Sequence, residues 1–167
     1  MKLLLTVVLS LLLAACASSN GGGLIVGQSS ANEVIRVMGE PHDQWTDPDG
    51  TRRLVYPDGP MGVHTYMVII GKDGKVRSVE NALSSQTLAE IKTGMSKDEV
   101  LRVLGPPEPT WSVYFKARDE LVWEWRICDE WNQSARFDVL FDGAKGIVRS
   151  TMTLRENCGA NVCWCSR

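Results

Sequence analysis

The sequence predicts an α+β fold of two tandem units, each a layer of two helices on a three-stranded antiparallel sheet. The first observation behind this prediction is a repeat: the segment 94–107 (GMSKDEVLRVLGPP) resembles the segment 30–41 (SANEVIRVMGEP), with identical residues 66 positions apart. A second observation is that the Val-Arg-Ser of 76–78 recurs at 148–150. Matches this regular indicate a duplicated supersecondary unit.

Capping signals predict the helices of the second unit. The stretches 87–90 (Thr-Leu-Ala-Glu) and 96–99 (Ser-Lys-Asp-Glu) both fit a capping box, in which a hydroxyl accepts from a first-turn amide and a glutamate such as Glu99 reaches back to the cap. The first helix is expected to end at Gly94 and the second at Gly105, before Pro107, since glycine tolerates positive φ after a helix.

The first unit carries the same signals in weaker form. Ser30 and Glu33 are expected to cap a helix that ends at Gly39, two residues before Pro41. The preceding stretch 22–27 (GGLIVG) is a poor helix sequence, so the first helix of this unit is predicted to be degenerate.

Alternating apolar residues and Asp-Gly turns predict the strands. The second unit is expected to have strands around 121–126, 137–141 and 147–154. Strands near 53–56, 64–70 and 75–81 are expected in the first unit.

The N-terminus reads as an export signal. Lys2 precedes an apolar run over 3–13, which is shorter than the roughly 20 residues that a membrane-spanning helix needs. We predict a signal peptide over 1–15, and Leu-Ala-Ala-Cys at its end resembles a bacterial lipobox that would make Cys16 a lipidated residue. Residues 16–23 would then be a flexible tether. The alternative is an ordinary secreted protein in which Cys16 belongs to an uncleaved helix.

Net charge and composition exclude one class of partner. The 167-residue chain has a formal charge of −2, and loss of Lys2 with the signal peptide would bring it to −3. No basic patch is present, so nucleic acid is not an expected partner.

Four cysteines remain after Cys16: Cys128, Cys158, Cys163 and Cys165. An even number in an exported chain indicates disulfides, with three possible pairings. Cys163 and Cys165 are too close in sequence to bridge each other without strain, so each is expected to pair elsewhere and tie down a Cys-rich tail over 157–167. The alternative is a four-thiolate metal site.

Aromatic residues supply the candidate binding surface. Trp123 and Trp125 share one side of a strand, and Tyr56 takes a matching place in the first unit. Either these side chains are core beneath the helices, or they form a protein-binding surface together with Trp45 and Trp111. The pattern places Trp45 and Trp111 in loops, so we expect them to be more exposed than the strand tryptophans.

No catalytic site is evident. The two histidines, His42 and His64, have no partner at metal-binding or catalytic spacing, and no nucleophile elbow or phosphate-binding loop is present. We therefore predict a protein that is not an enzyme and has no cofactor and no metal.

The lipobox cysteine, the 94–107 signature and the strand meander resemble the BamE (SmpA/OmlA) family of outer-membrane lipoproteins. The resemblance implies two BamE-like units, over 24–84 and 85–156, and anchoring in the outer membrane on the periplasmic side. It also implies envelope proteins as partners, among them the β-barrel assembly machinery. Its structural signature falls on Gly39, Pro41, Gly94, Glu99, Gly105 and Pro107.

Two functions are therefore expected from the sequence. The first is a non-enzymatic lipoprotein that binds protein as an accessory of β-barrel assembly or envelope integrity. The alternative is an inhibitor of an envelope or secreted hydrolase, because tandem units of this shape are similar to the β-lactamase inhibitory proteins. BamE itself has one unit and lacks a cysteine-rich tail.

Overall fold

The computed structural model of this protein describes residues 21–159 and 163–165, and these form a mostly β fold. Within them lie two four-stranded antiparallel sheets and only three short α-helices. The predicted pair of units, each with two helices on three strands, is therefore wrong. The signal peptide at 1–15 and the lipidation site at Cys16 lie outside the described residues.

Sheet 1 is an antiparallel meander in which each strand pairs with the next along the chain. Its strands are β1 (Asp43–Thr46), β2 (Arg52–Pro57), β3 (Thr65–Ile70) and β4 (Val76–Asn81). The last three confirm the strands expected from alternation. β1 was missed because its side chains are exposed except for the half-buried Trp45, so that no apolar alternation marks it.

Sheet 2 repeats this order, and both sheets shift register in the hairpin before their last strand. Its strands are β5 (Val113–Phe115), β6 (Glu120–Cys128), β7 (Ser134–Asp142) and β8 (Val148–Arg155). β6, β7 and β8 confirm the expected strands. β5 was missed because it has only three residues, all exposed.

The three helices are α1 (Ala31–Met38), α2 (Ser85–Leu88) and α3 (Lys97–Leu104). Both capping boxes at the repeated serines are confirmed. Ser30 N donates to Glu33 Oε2 over 2.7 Å, and Ser96 N donates to Glu99 Oε2 over 2.7 Å. In the part of the chain described, no helix is both long and apolar enough to cross a bilayer.

The first helix of the second predicted unit is where the expectation failed. The N-cap of α2 is Ser84, whose Oγ accepts from Thr87 N over 3.2 Å, so the expected capping box over 87–90 is wrong. Gly94 follows no helix; its N–H donates to Val148 O over 2.8 Å and joins the start of β8. Residues 21–29, where the first helix of the first unit was expected to be degenerate, form turns and irregular segments.

Apolar clusters cover one face of sheet 2 and both faces of sheet 1, where Val55, Met67 and Ala82 form the second cluster. On sheet 1, α1 contributes Val34 to a cluster with Leu54 and Val68. On sheet 2, α3 contributes Val100 and Leu104 to the largest cluster, whose sheet members are mainly from β6 and β7. The sheet 2 face that packs on these helices is called the inner face, and its opposite the outer face.

The end of α3 also contacts sheet 1. Arg102 Nη1 lies 3.5 Å from Asp47 Oδ1. A Cβ added to Gly105 would lie 2.8 Å from Thr65 Cγ2 and 2.9 Å from Val55 Cγ1. Because α3 also fills the inner face of sheet 2, this one helix joins the two halves.

One disulfide ties the tail to the β6–β7 hairpin, and a second closes a short loop within the tail. Cys128 pairs with Cys165 and Cys158 with Cys163, at Cα separations of 5.9 and 5.5 Å. The expectation that Cys163 and Cys165 each pair elsewhere is confirmed. The four-thiolate metal site is wrong, since every one of these thiols is in a disulfide. Backbone bonds reinforce the attachment, for Ser134 N donates to Cys163 O over 2.6 Å.

Gly39 and Gly105 end their helices with the same backbone conformation, and this gives a matched pair of variants. Both have positive φ with extended ψ, a region that costs other residues about 1–3 kcal/mol. A Cβ at Gly39 meets nothing within 4 Å, whereas one at Gly105 meets Val55 and Thr65. We expect Gly105→Ala to lose about 1–3 kcal/mol more unfolding free energy than Gly39→Ala, because only the first overpacks a buried contact.

Urea unfolding followed by tryptophan fluorescence measures this difference. Equal losses in the two variants would show that the contact between α3 and sheet 1 contributes nothing beyond backbone strain.

Candidate binding cleft between the two halves

A cleft of about 500 Å³ lies between the two halves. One wall comes from the ends of β2 and β3 and the loop that joins them, and the other from β6 and the segment after α3. Its lining includes five prolines, three tryptophans and both histidines of the chain: Pro57, Pro60, Pro106, Pro107, Pro109, Trp111, Trp123, Trp125, His42 and His64.

Prolines give the second wall a fixed course. Pro106 and Pro107 follow Gly105 directly, and their rings restrict φ and leave no N–H to satisfy. The segment is attached to sheet 2 because Glu108 N donates to Glu124 O over 3.0 Å. It then closes a 3-10 turn, Pro109–Trp111, that places the Trp111 ring at the cleft. This wall is set by backbone geometry rather than by flexible side chains.

The structure separates the five aromatic residues predicted as a binding surface. Trp125 is 2% exposed and Tyr56 is 8% exposed, and the Tyr56 hydroxyl donates to Gly39 O over 3.1 Å. These two are core residues, so they are corrected from surface to core. Trp45 lies away from the cleft in β1 rather than in a loop, half-buried below Arg102 at 5.7 Å from the guanidinium carbon to the ring centroid.

Trp111 and Trp123 are the two predicted residues that the cleft brings together with partly accessible rings. Both are half-buried. Trp123 packs edge-on against Phe141 at 4.7 Å between ring centroids. Arg136 packs over the Trp111 ring, with its guanidinium carbon 3.8 Å from the ring centroid. Both rings are therefore held in place from behind.

Two exposed tryptophans were not singled out by the sequence. The side chain of Trp131, in the β6–β7 turn, is 63% exposed. That of Trp164, between Cys163 and Cys165 in the tail, is 61% exposed. The sequence does carry a signal for their exposure. One lies in a polar turn and the other in a disulfide-bonded tail, and neither segment has the apolar pattern of a core element.

The histidines do not form a catalytic arrangement. His42 Nδ1 lies 2.9 Å from Asp43 Oδ2, and His64 Nδ1 lies 4.0 Å from Asp58 Oδ2. The His64 ring stacks on Tyr66 at 5.5 Å between centroids. Among the described residues, no hydroxyl or thiol makes a hydrogen bond with either imidazole, so a base-activated nucleophile is not assembled there. The described residues also contain no cluster of side chains suited to a metal ion.

Arg126 lines the cleft and makes hydrogen bonds to residues of both halves. It donates from Nη1 to Met61 O over 2.6 Å, in the loop between β2 and β3. Two further bonds of 2.9 and 2.8 Å reach the two carboxylate oxygens of Glu156. Arg136 Nε bonds the same carboxylate over 3.0 Å. The two arginine partners, Arg126 first, hold the pKa of Glu156 below its ordinary value.

Comparisons with known proteins add little to this description. A scan against protein-family models finds no match, and a search of curated proteins finds none either. Among solved structures, the chain is similar to an extracellular protein containing an SCP domain from Bacillus anthracis str. Ames, at 11% identity and a TM-score of 0.29. That alignment covers 78% of this chain and 44% of the other, so the chain spans less than half of its length. We draw no fold or function from a similarity this low.

The resemblance to the BamE family is wrong on these findings. Its two-helix layer is absent from the described residues, where each sheet has four strands. The signature residues have local roles instead. Gly39 and Gly105 end helices, Glu99 closes a capping box, and Pro107 lines the cleft.

The Arg126–Glu156 pair gives a second prediction. Glu156→Gln leaves two largely buried guanidinium groups without their shared anion, and we expect a loss of about 2–4 kcal/mol in unfolding free energy at pH 7. Because the folded-state pKa of Glu156 is lowered, its contribution is present at neutral pH and is lost as pH falls through that pKa. The difference between wild type and variant should therefore shrink in acid.

Arg77→Gln is the matched control, since its ion pair with Asp73 is more than half exposed on both sides. We expect it to change stability by less than about 1 kcal/mol. Urea unfolding of both variants across pH 3–8 makes the comparison. A loss of similar size in the two variants, or one that does not vary with pH, would contradict the assigned role of Glu156.

Proposed function

We propose that this protein is a non-enzymatic binding protein of the bacterial envelope that holds a segment of a partner protein in the cleft between its halves. The observation that carries the proposal is the cleft lining, in which half-buried Trp111 and Trp123 stand between walls fixed by prolines. Tryptophan in a desolvated pocket is the residue type that most often dominates binding energy between proteins.

The cleft is suited to binding because it is already formed. Its volume of about 500 Å³ lies within the roughly 300–1,000 Å³ of common ligand sites, and its proline wall needs no ordering when a ligand enters. The arginine and the glutamate of the lining are both already bonded, since Arg126 binds the Glu156 carboxylate and Glu108 Oε1 accepts from the backbone and hydroxyl of Thr110. The cleft therefore favours an uncharged, apolar segment.

Membrane attachment completes the proposal. Lipid on Cys16 would place the protein at the outer membrane, facing the periplasm, and the part of the predicted tether before Gly21 would allow the described residues to reach partners near that surface. Anchoring raises the effective concentration of the cleft for envelope proteins without any new contact. The inhibitor function remains the alternative, in which the bound segment belongs to a hydrolase.

Site-specific photo-crosslinking in intact cells tests the cleft. A p-benzoylphenylalanine at position 60 places the reactive group at exposed Pro60 of the lining, and position 72 replaces exposed Lys72 at the far β3–β4 turn as a control. We expect discrete protein adducts from position 60 and not from position 72. Trp111→Ala should reduce the position 60 adducts several-fold, because a hot-spot tryptophan contributes about 2 kcal/mol or more.

Adducts of equal yield from both positions, or none from position 60, would contradict the proposal. An adduct with a hydrolase that the soluble protein, lacking residues 1–16, also inhibits would identify the alternative function. Circular dichroism of Trp111→Ala checks that the fold is retained.

The lipid anchor has its own test. We expect wild-type cells fed a labelled palmitate to incorporate it into this protein, and Cys16→Ser to remove both the label and membrane association. An acyl chain contributes about 0.8 kcal/mol per buried methylene, so removal of several chains should release the protein to the soluble fraction. Membrane association that persists in unlabelled Cys16→Ser would mean a different attachment.

A further inference from the structure

Strand β8 leaves one edge of sheet 2 unpaired. It is the last strand of the sheet, and only its first residues are covered, since Val148 N donates to Met95 O over 2.8 Å. Residues 149–155 are all exposed. Among the described residues, no segment other than β7 forms strand pairs with 150–155. This part of β8 therefore presents its backbone to solvent.

Three residues of this edge direct their backbone hydrogen-bonding groups away from the sheet. Glu156 N donates to Ser134 O over 3.0 Å, so the even-numbered residues before it bond to β7. In an antiparallel strand the N–H and C=O of one residue point the same way, and the direction alternates along the strand. Thr151, Thr153 and Arg155 therefore point outwards, where their backbone groups meet no partner in the part of the chain described.

The sequence of this edge lacks the usual protection. Natural edge strands are blunted by charge, proline, short length or a bulge. The register shift of β8 lies at its start, and the residues 150–154 (STMTL) after it include no charge and no proline. β4, the counterpart in sheet 1, has six residues against eight in β8 and carries Glu80. An edge of the β8 kind readily adds a further strand.

A groove of about 600 Å³ lies beside the same edge, on the inner face. Thr151, Thr153 and Arg155 form one wall, α2 and the segment after it form the other, and the core residues Ile127 and Phe137 also line it. A strand added to β8 would direct every second side chain to the inner face and hence into this groove. Main-chain hydrogen bonds and pockets for alternate side chains are the two parts of a strand-addition site.

The two ends of the groove carry opposite charges. Lys92 lies at the start of β8, beside Thr93, whose hydroxyl donates to the strand backbone over 3.1 Å. Glu130 lies at the end of β8, beside Asp129, whose carboxylate is 3.2 Å from Arg155 Nε. Lys92 and Glu130 are exposed, and neither forms an ion pair within residues 21–159 and 163–165. An antiparallel strand with a basic first residue and an acidic last residue is complementary to both.

We propose that β8 and this groove bind an extended polypeptide segment as a fifth, antiparallel strand of sheet 2. The segment begins with a basic residue near Glu130 and ends with an acidic residue near Lys92. The groove shares no lining residue with the cleft between the halves, so failure of this proposal would leave the proposed function untouched.

The register sets the chemistry of the bound segment. Its first, third and fifth residues lie opposite Arg155, Thr153 and Thr151, exchange backbone hydrogen bonds with them and direct their side chains into the groove. Its second and fourth residues lie on the outer face beside Leu154 and Met152, which are 50% and 43% exposed. Apolar β-branched residues are suited to those two positions.

Fluorescence anisotropy of a dye-labelled pentapeptide tests the proposal on the full chain in detergent. Lys-Val-Thr-Val-Glu has the predicted order of charges, and Glu-Val-Thr-Val-Lys has the same composition in reverse. We expect saturable binding of the first peptide, at least about threefold tighter than of the second, because two ion pairs are replaced by two repulsions. The double variant Lys92→Glu with Glu130→Lys should invert this preference. Lys72→Glu, at the exposed β3–β4 turn, is the control and should leave both affinities unchanged.

N-methylation of the peptide separates strand addition from binding by side chains alone. The N–H of its third residue points at β8, whereas that of its fourth residue points away. We expect N-methylation of the third residue to weaken binding at least about fivefold, and N-methylation of the fourth residue to weaken it less than about twofold.

Equal effects of the two methylations, no saturable binding, or a charge preference that the double variant does not invert would each overturn the proposal. Sedimentation of the chain without peptide covers the other occupant of such an edge. A dimer that takes up no peptide would assign β8 to a second copy of the chain and overturn the proposal as well.

Discussion

The arrangement of this protein depends on the close approach of the end of α3 to sheet 1. Gly105 lies so near Val55 and Thr65 that a Cβ there would come within 3 Å of both side chains. The same helix places Leu104, fully buried, in the core of sheet 2. A helix shared in this way fixes the separation of the halves, and the prolines that follow it become a wall of the cleft. The cleft is thus a consequence of one tight backbone contact.

The sequence repeat specifies local geometry and not tertiary role. Gly39 and Gly105 adopt φ of 87° and 76° with nearly the same ψ, after helices that begin with identical capping boxes. Caps and Asp-Gly turns are decided within a few residues, so the sequence predicted α1, α3 and six strands. It could not predict β1 or β5, because their exposed residues are held by pairing with a neighbouring strand. It misplaced α2, because the N-cap is Ser84 and not Thr87.

The candidate site was also predictable only where a pattern within a few residues identifies the side chain. Trp111 and Trp123 could be proposed from composition and strand alternation, but alternation places Trp123 and Trp125 on one face and cannot tell which ring stays accessible. That difference is set by neighbours, since Trp125 is covered to 2% exposure. The Arg126–Glu156 pair joins residues 30 positions apart, and no local pattern marks such a partnership.

The side chains of strand β6 alternate between the cleft and the outer face of sheet 2. Trp123 and Trp125 face the helices and the cleft, while Glu124 lies on the outer face. Arg126 bonds Met61 at the cleft and Glu156 on the outer face, and Arg136 continues from Glu156 to Glu124. This chain of ion pairs ends at Glu124. Asp138 is buried directly opposite Glu124 on β7, and its pKa is raised to about 6 by burial, by the Glu124 charge and by a hydrogen bond with Glu124, against the effect of Arg136. The network that secures the cleft therefore also influences the ionisation of this acid.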